Sequence, residues 1–196
     1  MKVTLEIILK EKDKGISDGD LALKYSSWLK RFSKSEIFLD IISENISKST
    51  KLKNFNRFNF IVFILQGFGT DSQNQKTVYL KMMEFINDNI QINEGPSQEL
   101  DLVFELVLDV FWHQDKGLNG LDKEGQESLF HTLKKAINYK YERSVNGDEP
   151  FFAINKSMDL IKYQDEYGNT DELKESYLNH FDEHVRLRAT ETIKRL

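Results

Sequence analysis

A chain of 196 residues with 39% hydrophobic content and 14 Phe is large enough to form one globular domain with a substantial core. The absence of cysteine excludes a disulfide framework, a thiolate metal site and a cysteine nucleophile. No apolar run approaches the roughly 18 residues that a membrane-spanning helix needs, and the N-terminus lacks the pattern of a secretory signal. We therefore expect a single cytoplasmic domain over residues 1–196, with no membrane association.

The formal net charge of −5 is distributed unevenly along the chain. Residues 1–81 carry fourteen Lys/Arg and nine Asp/Glu, a net of +5, whereas residues 82–133 carry two and eleven, a net of −9. Residues 134–196 are nearly balanced, with eleven and twelve. An acidic zone disfavours nucleic acid, because phosphates are bound by Lys and Arg. It favours a basic protein partner, attracted over roughly a Debye length.

Hydrophobic spacing predicts helices along the whole chain. Segment 54–66 is ambiguous, since its aromatic and β-branched residues suit a strand, but its length and the following Gly67 favour a buried helix. Ser17 or Asp18 is the predicted cap of the second helix and Asp122 that of the seventh. The predicted helices span residues 4–14, 18–32, 35–47, 54–66, 72–90, 97–113, 122–146, 151–167, 170–179 and 182–196.

Short turns join these helices into five successive antiparallel hairpins. The predicted hairpins span residues 1–33, 34–68, 69–117, 118–168 and 169–196. A succession of helical hairpins favours an all-α fold arranged as an α-solenoid, although no strict sequence period is present. An irregular helical bundle would give much the same pattern.

The helix predicted over residues 97–113 is the one around which the others must pack. Ten of its seventeen residues are apolar, which is too many for one buried face and predicts an interior helix. A row of polar residues at i, i+4 spacing nevertheless runs along it. This polar ribbon consists of Ser97, Asp101, Glu105, Asp109 and His113.

The polar ribbon is either a solvated edge or an acidic surface that binds a basic partner. Its carboxylates are expected to project from a rigid helix, so that binding would require little further ordering. Trp112 would supply an aromatic anchor together with residues of the 151–167 helix, which we expect to lie alongside. The predicted partner-binding residues are Asp101, Glu105, Asp109, Trp112, His113, Asp159 and Tyr163.

No catalytic or metal-binding signature is evident. His180 and His184 have the i, i+4 spacing of a zinc site, but no Glu adjoins His180 as the metalloprotease pattern requires. Asp109 and His113 have carboxylate–imidazole spacing, yet no nucleophile can be assigned beside them, so a surface ion pair is expected. We therefore predict a protein that is not an enzyme and that needs no metal or cofactor.

Five residues of the C-terminal segment, Asp182, Val185, Arg186, Ala189 and Ile193, form a pattern that resembles the second half of a HEAT repeat. That pattern has an Asp in the turn between helices, then Val-Arg, a small residue and an aliphatic residue. In HEAT repeats the Asp and Arg tie adjacent repeats together, while the apolar residues pack between helices. The resemblance implies a HEAT-like α-solenoid.

Helical repeat arrays mostly present a rigid surface to another macromolecule. In size, acidity and single-domain organisation the chain also resembles the small immunity proteins that neutralise bacterial toxins, many of which are basic nucleases. This resemblance implies binding to a cognate nuclease toxin. The alternatives are a HEAT-like adaptor and a HEAT-like DNA glycosylase. The glycosylase would need a basic groove with an acidic catalytic residue and aromatic walls.

Overall fold

The computed structural model describes residues 4–68, 75–91, 97–113, 118, 121–139, 152–167 and 170–193. The predicted helical residues 72–74, 140–146, 151 and 194–196 lie outside these ranges. Within them the protein is all-α, with no strand, which confirms the predicted all-α class. The predicted arrangement of five antiparallel hairpins in an α-solenoid stays a prediction.

Eleven α-helices and one 3₁₀ helix, Leu160–Tyr167, make up the described part of the fold. The α-helices are α1 (Leu5–Lys12), α2 (Asp18–Lys24), α3 (Ser26–Phe32), α4 (Phe38–Leu52), α5 (Phe55–Phe68), α6 (Gln75–Asn89), α7 (Gln98–His113), α8 (Lys123–Asn138), α9 (Phe152–Asp159), α10 (Thr170–Leu178) and α11 (Glu183–Ile193).

Two predicted helices are divided in the structure. The helix predicted over 18–32 bends at Tyr25, whose φ of −107° and ψ of 11° separate α2 from α3. Its amide still donates to the Leu21 carbonyl and its own carbonyl accepts from Leu29, both at 2.9 Å, so the bend is local. The helix predicted over 151–167 is α-helical to Asp159 and then tightens into the 3₁₀ helix.

Local capping fixes two helix starts as predicted. The Ser17 hydroxyl accepts a hydrogen bond from the Asp20 amide at 3.2 Å, which caps α2. Asp122 Oδ1 accepts from the Gly125 amide at 3.0 Å, which caps α8. The ambiguous segment 54–66 forms the buried helix α5, in which residues 60, 61, 62, 64 and 65 are fully buried.

Alternate helices pack side by side in two rows. In one row α4 packs on α6, α6 on α8 and α8 on α10; in the other α5 packs on α7, α7 on α9 and α9 on α11. Helices adjacent in sequence also touch, most extensively α4 with α5 and α10 with α11. Helix α7 therefore has α5 and α9 at its sides and α6 behind it.

The position of α7 explains its composition. Seven of its apolar side chains are buried, while Leu102 and Trp112 are 36% and 45% exposed. The buried residues are Leu100, Val103, Phe104, Val107, Leu108, Val110 and Phe111. Helix α7 is thus the interior helix that its composition predicts. No helix among the described residues combines the length and apolarity needed to cross a membrane.

The C-terminal hairpin closes through bonds within its own turn. Asp182 Oδ1 accepts from the His184 amide at 2.8 Å, and the Arg186 guanidinium donates to the carbonyls of His180 and Phe181 at 2.6 and 3.0 Å. Val185 and Ala189 are buried, as a HEAT-like pattern requires. These Arg186 bonds link no second hairpin, so HEAT-like repetition stays a prediction.

Candidate functional site

The polar ribbon of α7 is divided by burial into two different parts. At its N-terminal end Asp101 is half-buried and Glu105 is exposed, and at its C-terminal end His113 is exposed. Between them Asp109 is only 7% exposed. The expectation that every ribbon carboxylate projects into solvent is therefore wrong for Asp109.

Asp109 is buried because the flanking helices cover it from both sides. Lys156 of α9, itself 6% exposed, forms an ion pair with its carboxylate. The Gln66 side-chain amide of α5 donates to Asp109 Oδ2, and His113 Nδ1 lies 3.2 Å from Oδ1. A buried carboxylate needs such compensation, because transfer from water is costly without a counter-charge and hydrogen bonds.

Lys156 and Gln66 are the two residues of this cluster that the sequence did not reveal. A lysine within an amphipathic helix ordinarily points into solvent, and no local signal distinguishes Lys156. Burial lowers the pKa of its ammonium group to about 8. A pKa of about 8 leaves the Lys156 ammonium mostly protonated at neutral pH, next to the Asp109 carboxylate with which it is paired.

Trp112 lies beside α9, as we expected. Its Nε1 donates a hydrogen bond to Asp159 Oδ2 at 3.0 Å. Lys156 Nζ lies 5.1 Å from the centroid of the Trp112 ring, within cation–π distance. The His113 ring stands nearly perpendicular to the indole, at 83°, with 4.7 Å between the ring centroids.

Tyr163, the remaining predicted binding residue, lies in the 3₁₀ helix. It is partly buried against the core, and Lys162 Nζ lies 5.0 Å from its ring centroid. Of the predicted residues, Asp109 is buried and Asp101 and Tyr163 are partly buried. The exposed ones are Glu105, Trp112, His113 and Asp159. Their role in binding stays a prediction.

Glu105 is the most isolated charge of the ribbon. It is exposed, and its carboxylate makes no hydrogen bond or ion pair with another described residue. Partial desolvation and the nearby Asp101 carboxylate raise its pKa above the ordinary value. The repulsion within the ribbon is therefore present in the folded protein, and a cationic group at Glu105 would relieve it.

The two histidines of the C-terminal segment do not form a joint site. His180 is buried, its Nδ1 accepts from the Asp182 amide at 3.0 Å, and its Nε2 donates to the Ile137 carbonyl at 2.9 Å. Both ring nitrogens are therefore occupied, while His184 is exposed. Among the described residues no group of three or more His, Asp or Glu side chains has the arrangement of a metal site.

The arrangement on α7 is suited to recognition through a fixed surface. Its aromatic and acidic side chains are carried by a helix that packs against three others. The Asp109 carboxylate, one turn before Trp112, is held in an ion pair with Lys156. Comparisons with protein-family models, with curated proteins and with solved structures found no match for this chain.

Proposed function

We propose that this protein is a non-enzymatic binding module that docks a basic protein on its α7 surface, formed by Asp101, Glu105, Trp112, His113 and Asp159. The observation that carries the proposal is Glu105, an exposed carboxylate without a cationic partner among the described residues. Its raised pKa marks a position where a positive charge from a partner would be favourable.

Rigidity supports the same proposal. Helix α7 is fixed by seven buried apolar side chains and by the ion pair between Asp109 and Lys156. Ordering of side chains at an interface costs about 0.5–1.5 kcal/mol for each flexible residue, and a surface already held in place avoids part of that cost. The packing of alternate helices in two rows is also compatible with a HEAT-like α-solenoid.

Among basic partners we propose a cognate nuclease toxin, with the present chain acting as its immunity protein. An adaptor that holds a basic subunit in a larger complex is the alternative of the same binding class. The DNA glycosylase alternative is less favoured, because residues 82–133, which contain α7, carry a net charge of −9, and nucleic-acid phosphates are bound by Lys and Arg.

The test begins with affinity purification from the native cells, followed by affinity measurements on the purified partner. Glu105→Gln should weaken binding, and Glu105→Lys should weaken it further. The loss of affinity should become smaller at higher salt, because salt screens the charges. Glu175→Lys on α10 is a matched control, since Glu175 is also exposed. Equal affinity for the parent and both Glu105 variants would contradict the proposal.

A second measurement separates the immunity protein from the adaptor. A stoichiometric amount of the protein should abolish the nuclease activity of a toxin partner in a nucleic-acid cleavage assay. A partner without such activity, which stays bound to other subunits, would favour the adaptor.

A further inference from the structure

Trp112 is an exposed aromatic residue held in one orientation. The residue is 45% exposed, although most large apolar side chains of α7 are fully buried. The indole N–H is fixed by Asp159, and the buried Lys156 ammonium lies against one face of the ring. A buried ammonium marks that face as the inner one, so we assign the exposed area of Trp112 to the opposite face and the ring edges, which the His113 ring also approaches with 4.7 Å between the ring centroids.

The support of Trp112 is itself anchored in the core. Lys156 is held by Asp109, which also accepts from Gln66 of α5. The indole is thus linked to the helices on both sides of α7. Rigid, partly exposed tryptophans of this kind are frequent centres of binding energy at interfaces.

Asp159 places a carboxylate at the edge of the indole, and this carboxylate can accept further hydrogen bonds. One oxygen, Oδ2, accepts from Trp112 Nε1 at 3.0 Å. Asp159 is exposed, and its other oxygen makes no hydrogen bond or ion pair with a described residue. A ligand lying on the outer ring face would therefore find a charged acceptor beside it.

A planar cation fits this pair of groups better than a spherical one. A guanidinium stacks flat on an aromatic ring and donates in its own plane to a neighbouring carboxylate. An ammonium has no plane to stack and approaches the ring as a point charge. The surface chemistry therefore distinguishes arginine from lysine.

We propose that the outer face of Trp112 and the Asp159 carboxylate form the receptor site for an arginine side chain of the basic partner. This inference rests on the proposed function and specifies its contact chemistry. Glu105 lies seven residues before Trp112 on the same helix, about 10 Å away along the axis. It would bind a second basic residue about three positions from that arginine in an extended partner segment.

The experiment uses tryptophan fluorescence of the full chain in a Trp28→Phe background. Trp28 stacks on Phe32, with ring centroids 4.6 Å apart, and phenylalanine retains an aromatic ring there, so Trp112 remains as the only tryptophan. The probes are an oligoarginine and an oligolysine peptide of equal length and charge. At low salt the oligoarginine should perturb Trp112 emission and bind about two- to fivefold more tightly than the oligolysine.

Two variants test whether Asp159 and Trp112 cause the tighter binding of oligoarginine. Asp159→Asn, which keeps an acceptor for the indole N–H, should reduce the preference. Trp112→Leu, measured by calorimetry and checked for folding by circular dichroism, should abolish it while leaving charge-driven binding of both peptides. Equal binding of the two peptides, with Trp112 emission unchanged, would overturn the inference.

The outcomes separate this inference from the proposed function. Equal peptide affinities that still fall in Glu105→Gln would leave the acidic docking surface standing without an arginine site. An arginine preference that depends on Trp112 but not on Glu105 would support the arginine site and contradict the role given to Glu105.

Discussion

Lys156 and Asp109 show how one buried ion pair can determine the character of a surface. Each is less than 10% exposed, and each compensates the charge of the other. Without Lys156 the acidic ribbon would repel itself along its whole length, and without Asp109 an ammonium would be buried beside Trp112. The pair separates the exposed acids of α7 from its exposed tryptophan.

Asp109→Asn is expected to destabilise the fold, because it leaves the Lys156 ammonium buried without a counter-charge. Breaking a buried ion pair on one side typically costs about 3–5 kcal/mol. Asp109→Leu combined with Lys156→Met should recover most of this loss, since neither charge then remains. The free energy of unfolding of each variant and of the parent is measured by urea denaturation. An Asp109→Asn protein as stable as the parent would show that Lys156 relaxes into solvent.

Glu105→Gln is expected to raise the melting temperature slightly at neutral pH. The folded-state pKa of Glu105 is raised above the ordinary value of 4.5, so ionisation is less favourable in the folded chain than in the unfolded one. The resulting loss of stability appears as the pH rises through the folded pKa and is absent below about 4. Thermal unfolding of Glu105→Gln and of the control Glu175→Gln should therefore differ at neutral pH. A lower melting temperature for Glu105→Gln would indicate an attractive contact instead.

At the scale of helices, the C-terminal hairpin of α10 and α11 is attached to α8 through His180. The imidazole joins the α8 carbonyl of Ile137 to the amide of Asp182, which requires a neutral ring with its proton on Nε2. Protonation would place a second N–H against the Asp182 amide. Burial accordingly lowers the pKa of His180 below the ordinary value of 6.5.

Stability should therefore fall as the pH falls from the unfolded pKa of 6.5 toward the lower folded pKa of His180. In this window the unfolded chain binds a proton that the folded chain does not, and above it the contribution is fully present. Urea unfolding across the window should show a weaker pH dependence for His180→Gln than for the parent. The exposed His184 supplies the control His184→Gln, which should retain the parental dependence.

Gly125 tests how closely the first turn of α8 packs against the residues that precede it. A Cβ there would lie 3.0 Å from Leu121 Cδ2 and 3.3 Å from Asp122 Oδ1, the cap that its amide needs. We expect Gly125→Ala to lower stability, even though alanine ordinarily gains about 0.5–1 kcal/mol over glycine within a helix. Gly67→Ala in α5, where a Cβ meets no atom of a described residue within 4 Å, should show a small gain in stability. Equal effects in thermal unfolding would contradict the crowding at Gly125.

Across the whole molecule, the hydrophobic core is continuous through both rows of helices. It extends from Leu5 in α1 to Ala189 in α11, and aromatic contacts such as Phe58 on Phe85 join successive helices. Many N-terminal cations are also used internally. Arg57 binds Asp13, and Lys24 lies 2.8 Å from Glu11, which leaves less free positive charge for nucleic acid than the sequence total indicates.

A continuous core predicts one cooperative unfolding transition. Trp28 in α3 and Trp112 in α7 report on separate parts of the chain, and Trp112→Phe and Trp28→Phe variants isolate each signal. The fluorescence transition of each variant in urea should coincide with its own loss of helical circular dichroism. Separate midpoints within one variant would indicate that the part of the chain around that tryptophan unfolds independently of the rest, as parts of some helical arrays do.

The sequence by itself determined the helices and the interior position of α7, because hydrophobic spacing is a local property that is repeated every turn. It placed segment 54–66 in a helix correctly, since no partner strand existed. It could not locate the bend at Tyr25 or the change to a 3₁₀ helix at Leu160, where packing adjusts backbone geometry within a helical pattern.

Only the tertiary structure decided which carboxylates of the polar ribbon are exposed and which are buried. Asp101, Glu105 and Asp109 are equivalent in spacing and charge, yet Asp109 alone meets Lys156 and Gln66, and Gln66 is 43 residues away in the chain. The same packing sets Asp159 against Trp112 across 47 residues. Periodicity identifies the face of a helix on which a residue lies, whereas its burial depends on which other helix covers that face, and distant residues determine that cover.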